Sequence, residues 1–178
     1  MSGGHAFSNS DIDCIKRAGK DATIEFVTPK TVLRPERGFN KTEAQHDLEA
    51  TGYAVAENEV VVCSPAVDGI VAIMAVSAKC IEAINVLDIE PRYTSPLLPT
   101  ESLTEGSYIA LYEDVLYVRV YNDGLRFAEA MTVESDADIL FYLESINRVY
   151  GIYNMYARAI GDTKRLNRVC RKCFNNKF

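Results

Sequence analysis

The 178-residue chain has no tryptophan, only two histidines and no long apolar run. Each shortage removes a class of function. Structural zinc takes four nitrogen or sulfur ligands, usually as two close pairs. His5 and His46 lie far apart and Cys14, Cys63 and Cys80 stand alone, so no such set forms along the sequence. Neither Cys63 nor Cys80 is spaced from His46 in a way that suggests a cysteine nucleophile and its base. The longest uncharged apolar stretch, GIVAIMAVSA from Gly69 to Ala78, is half of the roughly 20 residues that a membrane helix requires. The opening MSGGHAFSNSD lacks a basic segment followed by an apolar one, so no signal peptide is read there. Five cysteines, odd in number and scattered, suit reduced thiols better than a disulfide framework. A cytoplasmic protein without a membrane partner is expected. Phosphate-binding glycine motifs are missing too: neither G-x-x-x-x-G-K nor G-x-G-x-x-G occurs.

What is present is ordinary globular composition, 48% hydrophobic and 25% charged, with an uneven charge. The net charge is −6, yet seven of the 19 Lys/Arg and one of the 25 Asp/Glu fall from Arg158 to Phe178. The rest of the chain therefore carries 12 against 24, a balance of −12. Within the basic end, KRLNRVCRKCFNNKF, the pair Cys170 and Cys173 has the spacing of a metal or redox motif. The cysteines come late in a helix, where the helix dipole does not favour a thiolate. Leu166, Val169, Cys170, Cys173 and Phe174 recur at i, i+3, i+4, i+7 and i+8, which is one apolar face. Both thiols are read as small core residues. The opposite face holds Lys164, Arg165, Arg168, Arg171 and Lys172, the candidate contact for a partner. It docks either on the chain's own acidic body or on an acidic protein. Nucleic acid is disfavoured, because no aromatic side chain is interleaved on that face and the remaining chain is acidic.

Along the chain, Asn9–Lys20 reads as a short helix ended by Gly19, and ATIEFVTP as a strand. TVLRPERGF reads as a turn-rich connection, and NKTEAQHDLEATGY as a helix capped by Asn40 or Thr42 with Ala44 and Leu48 inward. ENEVVVCS and GIVAIMAV are strands, the second buried on both faces; SAKCIEAINVLD is a helix behind Ser77. A proline-rich stretch, 91–106, separates a first α/β lobe, 9–90, from a second, 107–178. The second lobe is clearer. SYIALYEDVLYVRVYNDGLRFAEAMTV is a three-strand meander turning at Glu113-Asp114 and at Asn122-Asp123-Gly124. A helix follows, capped by Ser135 and stopped by Gly151, with Ile139, Leu140, Leu143, Ile146, Val149 and Tyr150 facing inward. IYNMYARAIG is a strand and Asp162 caps the last helix. This β-β-β-α-β-α order opens a ribonuclease-H-like lobe, and the first half is compatible with a similar lobe lacking its initial meander. Eight of the ten tyrosines fall in the second lobe, as strand formers or as an interface.

Three stretches, VTPKTVLRPERGFNKTEAQHDLEATGY, YTSPLL and YIALYEDVLYVRVYNDGLRFAEAMTVESDADILFYLESINRVYG, resemble a Bacteroidetes family of unknown function with a degenerate actin-like ATPase fold. In that family a strand with a late leucine runs into an acidic cap and an aromatic helix start. Here Leu125-Arg126-Phe127 and Ser135 to Leu143 hold those places. The resemblance spans residues 24–165 and implies an α/β protein of two incomplete ribonuclease-H-like lobes, shortened at the N-terminus. Actin-like folds imply a nucleotide, gripped by a glycine-bearing turn between the first two strands of each lobe. In the second lobe that turn is YEDVLY, with Glu113 and Asp114 and no glycine. In the first lobe it is missing, and VDGI at Val67–Ile70 reads as a turn joining strands. No catalytic, cofactor-binding or metal residue is assigned and no cofactor is expected. The reading is a non-catalytic scaffold or interaction protein, engaging a protein partner or a second copy. The alternative is a carboxylate-based metal- or ligand-dependent enzyme using Asp114 or the cluster Glu134, Asp136 and Asp138.

Overall fold

The computed structural model describes residues 15–17, 19, 22–87, 89–98, 104–171 and 173–174. The chain divides into two compact units, Met1–Leu98 and Pro99–Phe178. The expected helix over Asn9–Lys20 lies largely outside the described residues.

The first unit holds β1 (Thr23–Glu25), β2 (Thr31–Pro35), a 3-10 turn (Lys41–Glu43) leading into α1 (Ala44–Glu49), β3 (Glu59–Cys63), β4 (Ile70–Ser77), α2 (Ala78–Asn85) and β5 (Arg92–Thr94). Strand β4 is central, antiparallel to β2 on one side and to β3 on the other, while β1 and β5 pair in parallel. This position explains its unbroken apolar run. Ala72, Met74 and Val76 pack with Cys80 and Ile84 of α2, and Ile73 and Ala75 pack with Ala44 and Leu48 of α1. Asn40 caps the 3-10 turn by accepting the Thr42 N–H at 3.1 Å.

Two expectations are corrected here. TVLRP is a strand rather than a connection. Pro35 is tolerated because it closes β2 at the sheet edge, where the outer side needs no donor. The proline-rich stretch carries β5, whose Tyr93 ring meets Phe26 at 5.4 Å. The unit's antiparallel sheet contains a β3–β4 hairpin and takes its third strand, β2, from upstream.

The second unit follows the expected order: β6 (Glu105–Tyr112), β7 (Val115–Asn122), β8 (Leu125–Thr132), α3 (Asp136–Tyr150), β9 (Ala157–Gly161) and α4 (Thr163–Cys170), with a 3-10 turn at Ile152–Asn154. The sheet order is β8-β7-β6-β9. The meander is antiparallel, and β9 returns parallel to β6 after the crossover through α3. Asp123 and Gly124 have φ of +53° and +108°, the backbone that a two-residue hairpin loop demands. Ser135 accepts the Asp138 N–H and Asp138 returns the bond to the Ser135 N–H at 2.8 Å, a closed capping box at the start of α3.

One face of this sheet, including Ile109, Leu111, Leu116 and Val118, packs against Ile139, Leu143 and Ile146 of α3 and Leu166 and Cys170 of α4. Each such aliphatic side chain stabilises by roughly 1.5–3 kcal/mol when fully buried. Val149, expected inside, is 72% exposed because it falls off the i, i+4, i+7 stripe of Ile139, Leu143 and Ile146. Leu140 and Tyr150 are half-buried. No helix among the described residues is long and apolar enough to cross a membrane.

Candidate functional site

Of the basic face expected of the last helix, four cations lie among the described residues, and they are not equivalent. Asp162 accepts the Arg165 N–H at 2.9 Å and so starts α4. Leu166, Cys170 and Phe174 then point into the core, and the outer side is left to the charges. Arg165 Nε donates to Asp136 Oδ1 at 2.7 Å, and Arg168 Nη2 donates to Oδ2 of the same carboxylate at 2.9 Å. The two arginines thus join α4 to the first turn of α3. The Arg165 bond is the main reason that the Asp136 carboxyl is held below the usual aspartate range. Lys164 and Arg171 are exposed, and Lys172 lies outside the described residues. Two cations of the face are therefore docked on the chain's own acid, and two face outward.

The paired cysteines sit as the apolar stripe requires. Cys170 is fully buried and Cys173 half-buried, with the Cys173 N–H donating to the Cys170 carbonyl at 2.9 Å. Burial pushes the Cys170 thiol up to about 12, far from a reactive thiolate. Phe174 closes this corner edge-on to Tyr153, with ring centroids 4.7 Å apart.

The acidic cluster at the start of α3 is already occupied. Asp138 closes the capping box and also accepts the Glu134 N–H at 2.9 Å, while Asp136 holds the two arginines. No group of three or more His, Cys, Asp or Glu suited to a metal occurs among the described residues. His46 is exposed on α1, and its neighbour Asp47 pairs with Arg34 at 2.6 Å.

The β6–β7 turn and the turn at Val67–Ile70 are both short. Glu113 opens the two-residue β6–β7 loop with φ of +53°, and Glu113 and Asp114 are both exposed. The Asp114 carbonyl accepts the Val133 N–H at 2.7 Å. In the first unit Val67 and Ile70 exchange both backbone bonds across Asp68 and Gly69, as a turn joining β3 to β4 does. An open groove of about 350 Å3 also lies in the first unit, between Lys41 and Gln45 on one side and Glu59, Val61 and Cys63 on the other. Glu59 there is bonded to Lys30 at 2.6 Å, and burial raises the Cys63 thiol.

Arg119 was missed by sequence reasoning. It is 2% exposed in the middle of β7, its guanidinium carbon 3.7 Å from the Tyr108 ring centre and 5.9 Å from that of Tyr121. Burial lowers its pKa. Its signal was present: one arginine in a strand that is otherwise apolar or aromatic from Val115 to Tyr121. Of the tyrosines, Tyr108, Tyr117 and Tyr121 are buried within the strands and Tyr156 is 66% exposed.

No protein-family model matches the chain, and no curated protein matches it. Solved structures do, and the first of those described next shows the class: this is an actin-like ATPase fold. The chain is similar to a Bacteroides thetaiotaomicron protein with actin-like ATPase fold and unknown function, at a TM-score of 0.68 and 16% identity, over 88% of this chain and 66% of that one. It therefore spans about two thirds of that protein's length. A second similar structure is the cytoplasmic domain of EpsL, an inner membrane component of the type II secretion system of Vibrio cholerae, at a TM-score of 0.43 and 11% identity, over 98% of this chain and 84% of that one. The first likeness is to the fold that the sequence resemblance implied.

Proposed function

We propose that this chain is a non-catalytic scaffold or interaction protein of the cytoplasm, which keeps an actin-like frame without nucleotide-binding loops. The observation that carries this reading is the β6–β7 turn. A phosphate cradle needs glycine and outward amides, whereas Glu113 and Asp114 present negative charge at the tip. The carboxylate enzyme has less support, since Asp136 and Asp138 already hold partners within the fold. The partner contact is the exposed part of the basic face, Lys164 and Arg171 with the outer side of Arg168. Lys172 is proposed with them from its place in the sequence.

The test is quantitative affinity capture from the source cell with intact chain, beside a Lys164→Glu/Arg171→Glu variant that leaves the Asp136 pairs in place. One protein recovered with the first and depleted with the second is the expected result. Equal recovery with both, or no specific protein with either, would remove the contact face and with it the scaffold reading.

A further inference from the structure

We infer that the open edge of β9 takes an extended, acidic segment of another protein as an added strand. The inference deepens the reading above and rests on it. In the sheet order β8-β7-β6-β9 no strand lies beyond β9 among the described residues. Two bonds bracket its pairing: Ser107 N–H to the Tyr156 carbonyl at 2.8 Å and Asp162 N–H to the Leu111 carbonyl at 2.7 Å. A strand alternates with period two, so the backbone groups of Arg158 and Ile160 turn towards β6. Those of Ala157, Ala159 and Gly161 turn outwards, a template for another chain.

The charge around this edge selects the occupant. Helix α4 lies over β6 and β9, with α3 along one flank, and the Tyr150 ring of α3 meets Phe127 of β8 at 5.4 Å. Thus α3 covers the far half of the sheet. Arg165 and Arg168 mark the flank of α4 that meets α3. At 100° per residue, Lys164, Asn167 and Arg171, all exposed, fall on the other flank, above the open side of β9. Asp162, the acid that follows β9 in the sequence, accepts the Arg165 N–H at the start of α4. A second copy pairing edge to edge would set these cations against each other, whereas an acidic strand would be drawn in.

The probe is a set of fluorescein-labelled peptides of roughly ten residues that alternate Asp or Glu with Val, Ile, Thr or Tyr, titrated into the intact chain and followed by anisotropy. Saturable binding is expected from at least one peptide. It should weaken about tenfold in Lys164→Glu/Arg171→Glu. It should be lost in Ala159→Pro, which removes an outward N–H and leaves the bonds to β6 intact. Circular dichroism checks that this variant folds. Independently of it, N-methylation of alternate peptide residues must abolish binding in one of the two phases. Binding that survives both N-methylation phases overturns the added strand and leaves an acidic partner on α4 standing. Absence of peptide binding, or binding of an oligouridylate instead, overturns the inference itself.

Discussion

A side-chain carbon on Gly161 would collide with the Leu111 carbonyl oxygen, and the φ of +77° is strained for any other residue. Gly161→Ala is expected to cost about 2–4 kcal/mol in urea denaturation. Gly124→Ala, at φ of +108° but with open space around it, should cost only about 1–2 kcal/mol. Equal losses at the two sites would mean that the end of β9 yields more easily than its geometry implies. Cys170 makes a pH prediction. Its thiol rises from 9.0 to about 12 on folding, so between those values the unfolded chain has lost a proton that the folded chain keeps. Stability is therefore full below pH 9 and falls as pH rises towards 12, with a slope of up to about 1.4 kcal/mol per pH unit from this group. Denaturant melts of the intact chain and of Cys170→Ala across that range should differ in slope, the variant being flatter. Parallel slopes would place the thiol's titration near its ordinary value.

Helix α3 depends on its first turn. Ser135→Ala opens the capping box and is expected to cost about 1 kcal/mol, while Ser135→Gly costs a few tenths. Chemical denaturation with matched m-values measures both, and a negligible loss in the alanine variant would show the box to be redundant. The Ser135 hydroxyl is the main reason that Asp138 sits below the ordinary aspartate value. Its contribution is present at neutral pH and is lost as pH falls through that depressed value. This element was legible in advance because cap, apolar period and glycine stop all agree from Ser135 to Gly151. The meander was legible for the same reason, each turn being set by its own residues. Strands β2 and β5 were not legible: Pro35 and the surrounding prolines signal loops locally, while the pairing that makes them strands lies with β4 and β1, far along the chain. The basic face of α4 could be read from helical spacing. Its division into docked and outward cations could not, since Asp136 meets Arg165 and Arg168 only when α3 and α4 pack.

At the scale of the molecule, an actin-like ATPase fold is present, and its β6–β7 turn carries Glu113 and Asp114 with no glycine. Among the described residues the sheet of the second unit ends at β9, and Lys164 and Arg171 of α4 are exposed. On the reading proposed above, such a frame serves assembly rather than turnover. The measurement that tests this most directly is thermal unfolding of the intact chain in a titration with ATP and magnesium. Ligand at a hundredfold excess over its dissociation constant would stabilise the folded state by about 2.7 kcal/mol. The account predicts no saturable shift up to millimolar nucleotide. A saturable rise in Tm that vanishes without magnesium would contradict it and restore a nucleotide site to the fold.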